Sequence, residues 1–301
     1  MASVKARATT LMVKGLRAAF YSESMDLKEM RKGFEVLMSR FSLPFNVRMT
    51  REPISGLRGA MFLPENVRPK CSILFLHGGA YAMGSVKTHA GLAAHLAKAA
   101  QAQVFLPSYP LAPEHPFPHA LNLLSDWLPK WAASHGLPFF LAGDSAGGGL
   151  ALALHHRCIA QNSEAGKGLI LFSPWVDLRP LSSEVQELEQ RDAYIRCADV
   201  ERFSQLYAAE QREHPEVSPL LQATAPNCPV FLHYTSDELL YNQCRQLAQK
   251  WRNQNVELQE RVWQGMFHAF QALGNWLPES EASIAEAGEF VQKVVRMQDL
   301  K

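Results

Sequence analysis

Gly143-Asp144-Ser145-Ala146-Gly147-Gly148-Gly149 follows a four-residue apolar run, Phe139 to Ala142, and leads into the helical run Leu150 to Leu154. A strand that turns into a helix through G-x-S-x-G is so tight that only glycine fits two residues to either side of the serine, which is left exposed on a strained backbone. The free N–H groups and positive dipole end of the helix then face the reacting centre. Ser145 is therefore a candidate nucleophile for acyl transfer, with the N–H of Ala146 beside it.

Such chemistry needs donors for an oxyanion, a base and an acid. Directly after the apolar run Ile73 to Leu76 comes His77-Gly78-Gly79-Ala80-Tyr81, where glycines let the backbone approach a substrate and present its N–H groups unobstructed. Gly78 and Gly79, with Ala146, are the expected oxyanion donors; one such donor is typically worth about a hundred- to a thousand-fold in rate. Of the eleven histidines, His268 lies in Gly265-Met-Phe-His-Ala-Phe270, a short loop between the last strand candidate and the C-terminal helix. His233 sits inside the apolar run Val230 to Tyr234 and reads as a core residue, and His77 reads as a brace for the oxyanion loop. Asp237 and Glu238 stand side by side after that same run, and either carboxylate can hydrogen-bond Nδ1 of His268 and stabilise its imidazolium. The order Ser145, acid, His268 separates this arrangement from those of chymotrypsin and subtilisin.

These residues need a scaffold, and the hydrophobic pattern supplies one. Apolar runs at 72–76, 104–106, 139–142, 168–172, 230–233 and 256–262 alternate with helical segments, four of them near 120–133, 146–161, 241–253 and 280–297. Alternation of this kind predicts an α/β domain with a mainly parallel sheet flanked by helices. A hairpin is expected between Asn46 and Phe62. Two amphipathic helices precede it from Val4 to about Phe41, and a charged, helix-rich insertion without a strand runs from about 179 to 216.

The 301 residues, 47% hydrophobic, fit one large core. A formal charge of +1, from 30 basic and 29 acidic residues spread along the chain, gives no overall field for nucleic acid or anionic membranes and fits a neutral small molecule better. Five cysteines without C-x-x-C spacing predict neither a disulfide framework nor a zinc site and are in keeping with a cytoplasmic location. The basic N-terminus does not read as a signal peptide, because Lys14 and Arg17 interrupt its apolar residues. No run reaches membrane-spanning length.

With HGGAY, then Tyr109-Pro-Leu-Ala-Pro-Glu-His-Pro-Phe-Pro118, GDSAGG, Ser173-Pro-Trp-Val-Asp177, Ser218-Pro-Leu220 and GMFHAF in order, the chain resembles the hormone-sensitive-lipase-like (bacterial family IV) carboxylesterases over nearly its whole length. The subgroup with aspartate before the nucleophile is the nearer likeness. The resemblance implies an α/β-hydrolase fold in a single domain, 1–301, with a helical cap from about 1–45 and 179–216. It implies hydrolysis of a small-molecule ester through Ser145, Glu238 and His268, without cofactor or metal. Glu238 is favoured over Asp237 because the following helix then runs without a gap, placing Ala248 and Val256 on the family's alanine and valine. Two departures stand out: the family's D-Y-R is Ser108-Tyr109-Pro110 here, which removes an arginine, and D-P-L-R is absent. A capped pocket predicts short acyl chains, with Tyr81, Trp175, Phe20 and Phe34 read as core more than as pocket. An amidase or deacetylase would use the same triad. A non-catalytic receptor of this fold would have no reason to keep His268, and a homodimer through the strand at 256–262 is a further possibility.

Overall fold

A computed structural model describes residues 2–20, 26–41 and 43–299 of the chain. Runs of apolar residues buried on both faces make parallel strands. Every residue is buried in β3 (Ser72–Leu76), β5 (Phe139–Asp144), β6 (Leu169–Phe172) and β7 (Val230–Thr235). With β1 (Val47–Thr50), β2 (Gly59–Pro64), β4 (Gln103–Pro107) and β8 (Leu258–Trp263) they form one eight-stranded sheet in the order β1-β2-β4-β3-β5-β6-β7-β8. β1 and β2 are the antiparallel hairpin read from the sequence, with Val47 opposite Pro64. β2 is antiparallel to β4, and all other neighbours are parallel.

Successive strand residues point to opposite faces, so two helical layers are needed. Ile73, Phe75, Val104, Phe140 and Phe231 meet α3 (Val86–Ala100) and α9 (Pro278–Asp299) on one face. Leu74, Leu76, Leu141, Leu171 and Leu232 meet α4 (His119–His135), α5 (Ser145–Ala160) and α8 (Tyr241–Asn253) on the other. Each such side chain removed from water contributes about 1.5–3 kcal/mol before ordering entropy is charged against it. β8 is an edge strand with alternating exposure. It starts two residues later than its apolar run because Val256 N–H closes the end of α8 on Trp251 O instead of joining the ladder.

Outside these layers lie α1 (Val4–Phe20), α2 (Leu27–Met38), α6 (Ser183–Glu187) and α7 (Cys197–Ala208). The last two fall in the 179–216 insertion between β6 and β7, which contains no strand among the described residues. Arg17 of α1 joins the two helical groups, donating to Asp192 O at 2.7 Å and Glu189 Oε1 at 2.8 Å. Arg31 of α2 fastens to the body: Nε to Ala82 O (2.7 Å), Nη2 to Ala112 O (2.8 Å), and a fork onto both oxygens of Glu114 at 2.6 and 2.7 Å. An arginine from α2 thus meets the glutamate of Leu111-Ala-Pro-Glu114, next to the position where the D-Y-R arginine is missing. Its charge and hydrogen bonds hold the Glu114 carboxyl down to about 2.

Candidate active site

The elbow has the backbone its motif demands. Ser145 sits at φ +53°, in the left-handed region. A Cβ on Gly147 would stand 2.1 Å from Leu76 O, and one on Gly143 would stand 2.5 Å from Gly147 O, so strand, turn and helix approach too closely for any side chain. Trp175 N–H, from the loop after β6, donates to Ser145 O at 2.8 Å and braces the turn.

The loops after β7 and β8 deliver the other two groups. His268 Nδ1 lies 2.7 Å from Glu238 Oε2, with both side chains buried. Glu238 Oε1 accepts Thr235 N–H at 3.2 Å. Asp237 faces elsewhere: it accepts Gly265 N–H at 2.7 Å and Arg191 Nη2 at 3.0 Å, so it shapes the turn and ties it to the insertion. Burial by itself would lower the pKa of His268. The hydrogen bond and charge of Glu238, helped by Asp192 and Asp144, outweigh burial and raise it above the ordinary value of 6.5.

The oxyanion loop corrects one expectation. Gly78 N–H is already engaged, donating to Asp144 Oδ1 at 2.9 Å, so it has no proton to offer a substrate. Gly79, at φ +120°, and Ala80, at φ +54°, turn the chain past this anchor and line the pocket that contains Ser145. His77 braces the loop: Nδ1 is 2.9 Å from Gly78 O, and Tyr109 OH donates to His77 O at 2.5 Å while its ring stacks on the imidazole. Burial, aided by the neighbouring His89, lowers His77 to about 3, so it stays neutral. Asp144 is pushed up by burial but pulled further down by His89, Gly78 N–H and the charge of His268, and ends below its ordinary value.

Ser145, His268, Asp144, Gly79 and Ala80 share one pocket. Its walls are mainly apolar: Met12, Val13 and Leu16 of α1, Phe34 and Leu37 of α2, Val200 and Phe203 of α7, with Trp175 and Phe267 from the body. Trp175 and Phe34 are therefore pocket wall, whereas Tyr81 is packed away, stacked on Tyr207 of α7 at 3.8 Å. The side chain of Phe20 lies outside the described residues. His233 is buried, with Nδ1 near Ser283 Oγ (2.9 Å) and accepting Trp263 Nε1–H (3.2 Å), as a core histidine would be. Three partners had no local signal in the sequence: His89, which holds Asp144; Tyr194, whose ring lies nearly parallel to that of His268 with centroids 6.2 Å apart; and Asp192.

The family model described as alpha/beta hydrolase fold matches residues 73–272. An esterase of Acinetobacter venetianus is 32% identical over 257 residues, covering 82% of this chain and 83% of that protein. An ethyl acetate hydrolase of Pseudomonas putida is 30% identical over 232 residues, covering 74% and 73%. Among solved structures, an esterase from the bacterial hormone-sensitive lipase family superposes with a TM-score of 0.90 at 26% identity, covering 98% of this chain and all of that one. The elbow, the buried acid–histidine pair and these likenesses agree, and the chain belongs to the hormone-sensitive-lipase-like carboxylesterases of the α/β-hydrolase fold.

Proposed function

We propose that the chain hydrolyses short-chain acyl esters by a two-step acyl-enzyme mechanism. Ser145 Oγ attacks the ester carbonyl while its proton passes to Nε2 of His268, and Nδ1–H donates throughout to Glu238. The tetrahedral oxyanion is met by the N–H groups of Gly79, Ala80 and Ala146; Ala80 takes the place expected of Gly78, whose proton is spent on Asp144. Collapse expels the alcohol, which takes the proton from Nε2. Water then attacks the acyl-enzyme by the same route, releasing the acid and restoring Ser145.

The observation that carries this reading is the buried 2.7 Å contact between Glu238 and His268, whose imidazole lines the pocket that contains the strained Ser145. Neutral, apolar substrates suit a wall with so few charges. What supports a preference for short acyl groups is the lining of the pocket by α1, α2 and α7 and the bulk of Trp175 and Phe203, both nearly inaccessible to solvent. The activity in the Pseudomonas relative's name, on ethyl acetate, is of this class. A series of p-nitrophenyl esters tests it: kcat/KM is expected to peak at short acyl groups and fall for long ones, and a steady rise through long acyl groups would contradict it.

A further inference from the structure

Asp192 lies in the insertion, 46 residues before Glu238, and is fully buried. Its Oδ1 accepts the N–H groups of Tyr194 at 2.7 Å and Ile195 at 2.9 Å, and its Oδ2 accepts Leu239 N–H at 2.8 Å. The first two residues are wall of the substrate pocket, and the third follows Glu238 directly. One side chain therefore ties the pocket wall to the turn that carries the proposed acid.

We propose that Asp192 is a positioning residue for the acid–base pair: its carboxylate grips Leu239 N–H and so fixes the turn from which Glu238 reaches His268. The inference rests on the triad reading given above. The residue type matters because all three partners donate. A carboxylate offers two accepting oxygens, whereas an asparagine would turn an NH2 group against an N–H. The three N–H groups aimed at the carboxylate favour its ionised form. Burial pushes the Asp192 carboxyl above its ordinary range, against the pull of His268 and the three backbone N–H groups.

That charge has a second effect. His268 is faced by Glu238, Asp192 and Asp144 and by the ring of Tyr194. Around Asp192 itself stand His268, Cys197 at the start of α7, and Arg17 of α1, which donates to the Asp192 carbonyl and pairs with Glu189. The Arg191–Asp237 pair lies at the outer side of the same turn. Asp192 thus adds a second negative charge favouring the imidazolium that forms when Ser145 is deprotonated.

The test compares Asp192→Asn with wild type and with Ser145→Ala. Asp192→Asn is expected to lose about ten- to a hundred-fold in kcat, the cost typical of displacing a catalytic group by about an ångström. KM for a short ester should stay within about threefold, since no substrate contact is removed. The acid limb of kcat/KM should move to lower pH, which a purely structural staple would not cause. Asp192→Glu keeps the charge but displaces the carboxylate, and should lose kcat with the limb unmoved; it also serves if the asparagine variant does not fold. A folded Asp192→Asn with unchanged kcat and limb, lowered kcat without movement of the limb, or an Asp192→Glu of wild-type kcat overturns the proposal. If those results occur while Ser145→Ala is inactive, the triad reading survives; an active Ser145→Ala sinks that reading instead.

Discussion

Replacing Glu238 with glutamine removes a charge while keeping the shape, and the surrounding donors dictate how the amide must sit. Thr235 N–H can only donate, so the glutamine oxygen belongs at the Oε1 position 3.2 Å from it. The NH2 group then faces His268 Nδ1, where Glu238 Oε2 now stands at 2.7 Å. A donor there forces the proton of the neutral imidazole onto Nε2, the atom that must accept the proton of Ser145. Flipping the amide restores the working tautomer but strands Thr235 N–H in a buried site, at about 1–3 kcal/mol, or roughly five- to over a hundred-fold in the active population. Loss of the charge that stabilises the imidazolium adds to this. The expected fall in kcat therefore lies between about tenfold and the ten-thousand-fold known for the analogous change in trypsin. Asp237→Asn should cost less than about tenfold, because Asp237 contacts Gly265 N–H and Arg191 and not His268. Steady-state kcat on p-nitrophenyl butyrate, with thermal melts to confirm folding, decides between them. A near-normal Glu238→Gln beside a collapsed Asp237→Asn would refute the reasoning.

The raised pKa of His268 places the acid limb of kcat/KM above pH 6.5, since the neutral imidazole is the working form; a limb below pH 6 on a stable protein would contradict it. By linkage, the same raised pKa contributes stability that is fully present below the unfolded value and lost as pH rises through the folded one, so in this group's share activity and stability run in opposite directions with pH. Arg31→Ala removes two bonds to backbone carbonyls and the fork to Glu114, and should lower Tm by a few degrees, about 1.5–2 °C per kcal/mol lost in a chain of this length. Differential scanning calorimetry reads it, and an unchanged Tm would show that α2 does not depend on this clasp.

How much of this was legible beforehand follows from the range of each contact. Ser145 and His268 could be read because a strand–turn–helix glycine pattern and a loop motif are local. The choice between Asp237 and Glu238 could not be made from residue type, since adjacent carboxylates differ only in which way the turn aims them. Gly78 departs from the expected role for a related reason: whether its N–H is free depends on Asp144, 66 residues away, whose carboxylate captures it. Arg31 and Asp192 act across 83 and 47 residues and leave no periodic trace. Trp175 and Phe34 look like core in the sequence because an apolar pocket wall and a core obey the same hydrophobic pattern. The strands were legible from their buried runs, and the start of β8 shifted only because Val256 serves the end of α8.

The most direct test of the central claim is covalent trapping of the nucleophile. An organophosphate should add once, at Ser145 alone by peptide mass mapping, with loss of activity in step with the label. Ser145→Ala should take up none and retain the fold. Labelling at another residue, or near-normal ester turnover by a folded Ser145→Ala, would contradict the account.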